Sequence, residues 1–471
     1  MRVANRLAFL RSELVRSLAV TFVARAVAAV GNLFLLLVVG RHYGAVGVGV
    51  LAMAQSLLLG AGIIAKGGMD GSLMRYVGQH PTNVKALTYL GWAIKPVSVV
   101  SFVLFFIIHI FRGNLEAIFN AEGLASLLVG FSCSVPFFAL AYVLSGFFKG
   151  IRKPALASLM ENGIVSLVAA IVIYIYFTYF SDSSSMAVIG WAYSFSSAGI
   201  LVFGILQVIG WWRNAQLQGG GQCATPAAGG YSDVDGQSIE IEEVTRVQFF
   251  STSRAFFATN IAQFMQNVLA IMIAGWMLTS QDLGLFKSAQ QVGLLIAFVL
   301  MVINAIFPPR FAALFHSGDH AGLTKMARLG SLVGIVFVIP LLLLCLVFPE
   351  WVLGWFGAEF AVAKHMLMLI AIGQLVNVAT GSVGFLLSMT GHEKLMRNIA
   401  LACSGAGLLG FYFFIGLYGA MGAAIALTFV LVSQNVIALI YVWIKLGVWT
   451  LPVPNFLPYL GIRSQYNERP Q

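Results

Sequence analysis

Charge is what this chain has least of: of 471 residues only 9% are Asp, Glu, Lys or Arg, against 59% hydrophobic. So small a polar complement cannot cover the water-facing surfaces of the roughly three domains a soluble chain of this length would form. Cysteine is also scarce. The four are unpatterned, with Cys133, Cys345 and Cys403 in apolar stretches and Cys223 in a polar one, and they suggest neither a disulfide framework nor a zinc site. No Walker motif or glycine-rich phosphate loop opens a soluble domain, and no paired-carboxylate or His motif stands in a loop at the membrane surface. The first lack argues against ATP-driven work and the second against catalysis. No cofactor or metal set is indicated.

What the sequence has instead is apolar runs of about 20 residues, one after another. A run of that length crosses the hydrocarbon core only as a helix, because an open strand would leave its backbone groups unpaired in lipid. Reading the runs between charged and Gly/Pro breaks predicts helices near 17–40, 45–66, 86–111, 123–148, 155–180 and 186–210. Six more follow near 249–276, 282–306, 326–349, 361–389, 396–415 and 418–445. The fold class is therefore all-α integral membrane, with about 12 transmembrane helices. The first run follows Arg2, Arg6, Arg11 and Arg16 but is too long for a secretion signal, so it reads as a retained helix.

The 27 Lys and Arg exceed the 17 Asp and Glu by ten, a balance that raises nucleic-acid binding as a possibility. Position excludes it. With the N-terminus inside, about 20 of the 27 basic residues fall in cytoplasmic segments and only Arg41, Arg112 and Lys364 in outside loops, which is the positive-inside bias that sets orientation.

Between the two sets of six, residues 213–246 are Gly-, Ala- and Gln-rich and then acidic, the composition of a solvated cytoplasmic linker. The domains expected are a six-helix bundle over 1–212, this linker, a second bundle over 247–445 and a cytoplasmic tail over 446–471. Six is even, so both bundles start from the same side and relate as a parallel repeat. At an offset of 235, residues 25–75 lie over 260–310 with Asn32/Asn267, Gln55/Gln290 and Arg75/Arg310 in register. Hydrophobic composition does not explain that register, since such residues are rare in transmembrane helices.

The segments GRHYGAVGVGVLAMAQSLLL (40–59), GGMDGSLMRYVG (67–78), GFFKGIRKP (146–154) and SMTGHEK (388–394) resemble the polysaccharide-transport branch of the MOP exporter superfamily. That branch includes O-antigen and capsule flippases, with drug extruders (MATE) and the lipid II flippase as cousins. The resemblance implies a MATE-like pair of six-helix bundles around a cavity that opens alternately to either side. It also implies a polyprenyl-diphosphate oligosaccharide as substrate, moved from the cytoplasmic to the outer leaflet of a bacterial inner membrane. Membrane lipid would hold the tail, H+ or Na+ is the candidate coupling ion, and a polymerase and other polysaccharide-assembly proteins are candidate partners. The alternative is a drug or metabolite exporter of the same fold; a polymerase or ligase would carry a larger outside loop.

Carrying a diphosphate and sugars past hydrocarbon calls for a polar, cationic cavity. Arg25, Lys95, Arg254 and Lys287 lie within predicted helices and are the candidate substrate contacts; each alternatively snorkels to the headgroups. Asn32, Gln263, Gln266 and Asn267 place amides on the first and seventh helices, to bind sugar hydroxyls or to join helices. Glu161, about seven residues into the fifth predicted helix, and Asp70, at the inner end of the second, are the candidate ion-coupling acids. Glu161 otherwise bonds between helices, and Asp70 otherwise anchors at the interface. An extruder of cations would be expected to hold more intramembrane acid than this.

Overall fold

A computed structural model of the chain describes residues 2–79, 86–180, 185–219, 244–455 and 458. Among them the secondary structure is helical throughout. Eight helices are long and apolar enough to cross a membrane, nine with the fourth, which is bent by 51° between Leu124–Phe131 and Ser134–Gly150.

One of the eight, Val23–Lys66, is two crossings. At Gly44 the backbone turns to φ 64°, ψ −163°, a left-handed value open to glycine and strained for other residues. Beyond the turn the second leg runs back beside the first, since Gln55 donates to Asn32 Oδ1 at 3.4 Å. Two shorter apolar helices, Gly163–Tyr179 and Met265–Met277, belong to the fifth and seventh crossings and bring the total to twelve. The remaining crossings are the third (Ala86–Ile110), sixth (Ala187–Gly219), eighth (Ser280–His316), ninth (His320–Val347), tenth (Lys364–Thr380 with Val383–Met389), eleventh (Glu393–Tyr418) and twelfth (Ala420–Leu446).

Both sets feed one continuous core: Phe131, Phe138 and Phe147 from the first and Phe286, Phe356 and Phe360 from the second are fully buried in it. The outer faces are apolar too. On the third helix Val99, Phe102 and Phe106 are half or more exposed at a spacing of one helical face, which lipid covers.

The fifth helix departs from expectation. It breaks at Met160 and Glu161, between Pro154–Leu159 and Asn162–Tyr179, and Glu161 has extended backbone (φ −91°, ψ 164°). Glu161 thus stands at the start of a helix, not within one, where its carboxylate reaches the Lys149 ammonium. The long run of apolar letters conceals this break.

The two sets meet through the second and eighth helices, at the end that carries the turn between the first two helices, which is the outer end in the orientation expected from the basic residues. At Gly49 an added Cβ would fall on the Ser280 backbone carbonyl, and at Gly284 on the Ala45 carbonyl. Positions 45 and 280, like 49 and 284, are 235 apart, so the contact is its own image under the repeat read from the sequence. Ala45-xxx-Gly49 and Ser280-xxx-Gly284 are the small-xxx-small pattern that lets transmembrane backbones touch. Around this seam the turn between the first two helices docks on the 348–363 loop: Arg41 Nε donates to Trp355 O at 2.9 Å, and Ala45 N to Glu359 Oε1 at 2.7 Å. Glu359 thereby caps the second helix with a negative charge at its positive end. Glu359→Ala is expected to cost about 1 kcal/mol of thermal stability in detergent; an unchanged unfolding temperature would mean that the cap contributes nothing.

At the inner end, Met69–Gln79 continues the second helix past Gly67 and Gly68 and packs on the start of the seventh, Arg246–Phe264. Ser72 Oγ lies 2.8 Å from Ser253 Oγ, and Tyr76 OH 2.7 Å from Thr252 Oγ1.

Candidate functional site

Between the outer seam and the inner contact lies a cavity of about 490 Å³, within the roughly 300–1,000 Å³ of small-molecule sites. One wall comes from the second and fourth helices through Leu59, Ile63, Lys66, Phe138 and Tyr142. The other is built by five of the last six helices, all but the ninth, and is rich in amides. The seventh gives Gln266 and Asn267, the eighth Lys287 and Gln290, the tenth Gln374 and Asn377, the twelfth Gln434 and Asn435, and the eleventh adds Ser404.

Local structure explains how the seventh helix delivers its pair. Residues Met265–Leu269 form a single π turn, a wider turn that is frequent at functional sites. Gln266 Nε2 donates to Ser404 Oγ at 2.7 Å and to Gln434 Oε1 at 3.2 Å, which ties the seventh, eleventh and twelfth helices together. Asn267 is exposed to the cavity and has no hydrogen bond among the described residues. The side chain of Gln263 lies outside the described residues, as does that of Asn162.

The four candidate cations separate in space. Lys287 alone lines the cavity, half-buried, with its Nζ 3.0 Å from Gln290 Oε1. Lys95 is exposed one, two and three turns from Val99, Phe102 and Phe106 on the lipid-facing side of the third helix, the geometry of a snorkelling lysine. Arg254 is exposed on the seventh helix in line with Val247 and Ile261. Arg25 is exposed as well, but its direction is informative: it precedes Asn32 by seven residues, two helical turns, and so shares its face. That face looks at the junction between the sets, because Asn32 Nδ2 donates to Gln291 Oε1 at 3.1 Å.

Both candidate coupling acids are paired. Asp70 Oδ2 accepts from Lys66 Nζ at 2.8 Å, and Lys66 also lies over the Tyr142 ring, 5.0 Å from its centroid. Glu161 Oε1 is 3.0 Å from Lys149 Nζ. The Lys66–Asp70 pair bridges two spaces: Lys66 lines the main cavity, and Asp70 lines a smaller one of about 170 Å³ with Lys149, Phe256 and Asn260. Lys364, the first residue of the tenth helix, donates to Glu350 in the segment before it at 2.7 Å and holds its carboxyl below the usual carboxylate range. Exposed pairs of this kind contribute little to stability.

The sequence reading missed Gln374, Asn377, Gln434, Asn435 and Lys66 as lining residues. A signal for the amides was present, since Gln374/Asn377 are three apart and Gln434/Asn435 adjacent in otherwise apolar helices.

Twelve helices in two repeat-related sets around a polar cavity define a multi-pass membrane protein with a transporter fold. Solved structures share it. The lipid II flippase MurJ in its inward closed conformation aligns with a TM-score of 0.66 at 12% identity, over 90% of this chain and 87% of that one. An inward-facing multidrug resistance MATE family transporter of the MOP superfamily aligns at 0.61 and 13% identity, over 88% and 93%. For the MATE multidrug transporter DinF-BH the values are 0.55 and 17%, over 92% and 95%. No curated protein matches the sequence. The chain itself belongs to the family described as "Polysaccharide biosynthesis protein", matched over residues 14–315.

Proposed function

We propose that this protein is a flippase that carries a polyprenyl-diphosphate-linked oligosaccharide from the cytoplasmic to the outer leaflet of the bacterial inner membrane, by alternating access, for O-antigen or capsule assembly. One observation carries the reading: the cavity wall holds an uncompensated cation, Lys287, among amides, while its other cation, Lys66, is balanced by Asp70. Amides donate and accept, which suits sugar hydroxyls, and the charge suits an anion. A site for cationic drugs calls for the opposite sign.

In this reading Arg25 receives the diphosphate, sharing the face of Asn32 about 10 Å nearer the cytoplasm. Arg254 and Lys95 serve at the headgroup level, and Asn267 and Gln263 are the amides assigned to the sugars. The tail stays in lipid, and a polymerase and other assembly proteins take the product outside. No chemistry on the substrate is required, so the protein is not an enzyme. Cells lacking the gene are expected to assemble the glycan on lipid inside and to display none; normal display would sink the proposal.

Orientation follows from the basic residues: two six-helix domains, 1–212 and 247–445, joined by 213–246, with that segment and both termini cytoplasmic. Cys223, which lies outside the described residues, is a native probe. With the other three cysteines replaced, an impermeant thiol reagent is expected to spare it in intact spheroplasts and label it after lysis. Labelling before lysis would invert the topology.

For coupling to H+ or Na+, Asp70 is the stronger candidate of the two acids, since its partner Lys66 touches the cavity while Glu161 is paired away from it. Asp70→Asn is expected to uncouple transport from the ion gradient and Glu161→Gln to leave it coupled. The reverse pattern would exchange their roles.

A further inference from the structure

The two repeat-related sets have put the same residues to different uses. Asn32 and Asn267 correspond, as do Gln55 and Gln290. In the first set Gln55 donates to Asn32 Oδ1, and Asn32 donates across the junction to the buried Gln291, so both amides are consumed in holding helices together. In the second set the counterparts turn to the cavity. Asn267 is unbonded among the described residues, and Gln290 gives its oxygen to Lys287 and keeps its NH2. Lys287 itself corresponds to Ala52, a buried apolar residue. The charge is therefore an addition to one half only, set among amides of the same half.

Depth then divides the ligand. Lys287 is seven residues from Ser280, where the eighth helix starts at the outer seam, and so lies about 10 Å inside that end. Arg25 lies on the cytoplasmic side of Asn32. A lipid-linked headgroup loaded from inside has its diphosphate near the inner surface, where the prenyl tail holds it, and its sugars deeper. The group that meets Lys287 is then a sugar substituent, not the diphosphate. Charge selects further. Among the described residues no acid lines the cavity beside Lys287, so its ammonium balances one negative charge, which fits a carboxylate; a phosphate monoester brings about −1.5 to −2.

We infer that the cavity wall formed by five of the last six helices is the sugar-reading compartment of the site, and that Lys287 selects an oligosaccharide bearing a carboxylated sugar, with Asn267 and Gln290 reading the neighbouring hydroxyl or acetamido groups. This rests on the flippase reading.

The test uses the full-length protein purified in detergent and three probes: a polyprenyl-diphosphate disaccharide ending in glucuronic acid, the same ending in glucose, and polyprenyl phosphate-phosphate without sugar. Dissociation constants are measured for wild type, Lys287→Gln and Lys287→Arg. Wild type is expected to prefer the glucuronic acid probe by about tenfold or more, the scale of a hydrogen bond to a charged group. Lys287→Gln is expected to bring that ratio to about 1, and Lys287→Arg, which controls for folding, to keep most of it. Equal binding of the two disaccharides by wild type, or a preference that survives Lys287→Gln, overturns the inference. If the sugar-free diphosphate still binds in that case, the flippase reading stands without it; if wild type binds none of the three, both fall.

Discussion

Arg25→Ala is expected to abolish surface display of the glycan while the protein stays in the membrane at native abundance. The residue lies about eight positions into the first predicted apolar run, and a charge near the middle of a helix costs roughly 2.5–3.5 kcal/mol to insert. Seven residues before Asn32, it shares the face of that residue, which is turned to the junction with the second set of helices. Its guanidinium can hold phosphate oxygens in a planar fork that Lys lacks. Losing that grip forfeits roughly 1.5–3 kcal/mol, or about 10- to 100-fold in transport. Arg25→Lys, with the charge and without the fork, is expected to fall between. Arg16→Ala removes one of several topogenic charges and is expected to change little. Wild-type display by Arg25→Ala would take Arg25 out of the site and leave Lys287 as its cation.

The second large effect is expected at the outer seam. Gly49→Val and Gly284→Val each place a side chain where a backbone carbonyl of the opposing helix now lies, and no rotamer relieves a clash at Cβ. Overpacking in a tight core costs about 1–3 kcal/mol, and here the whole penalty falls on the state in which the outer ends are joined. Each variant is expected to lose transport at least about tenfold, with the population shifted towards an outward-open form that admits an impermeant thiol reagent to a cysteine introduced at Gln290. Because the contact is its own image under the repeat, the two variants are expected to behave alike. One silent and one dead would show that the outer seam is not the symmetric contact described.

How much of this the sequence carries differs between fold and site. Hydrophobic runs are a strong signal, because lipid demands them of every crossing whatever the protein does, and they place all twelve helices, though the sixth runs on to Gly219 and the eighth to His316, well past their apolar runs. Breaks inside a run are not visible in the same way: the interruption at Glu161, the bend of the fourth helix and the π turn at Met265–Leu269 depend on what packs beside them. The repeat, weak as letters, becomes a structural fact at Gly49 and Gly284.

The site was only half legible. Scarcity of charge singled out Lys287 and Arg25, but scarcity does not tell which side of a helix a residue takes, and Lys95 proves to lie in line with Val99 and Phe102 on the lipid side. Periodicity about Asn32 would have placed Arg25, had its partner Gln291 been known. The amides of the tenth and twelfth helices were readable by the argument applied to the seventh; only the fold brings them to one cavity.

The central claim is the direction of the cavity's preference: an anionic, sugar-bearing lipid and not a cationic drug. It is tested most directly by reconstituting the purified protein in liposomes that hold a polyprenyl-diphosphate oligosaccharide in both leaflets, and following the fraction reached by a glycan-cleaving enzyme added outside. That fraction is expected to rise from about half towards completion with wild-type protein and to stay near half with Arg25→Ala. A wild-type protein that leaves the lipid-linked sugar where it is, yet moves a cationic dye across the same membrane, would contradict the account.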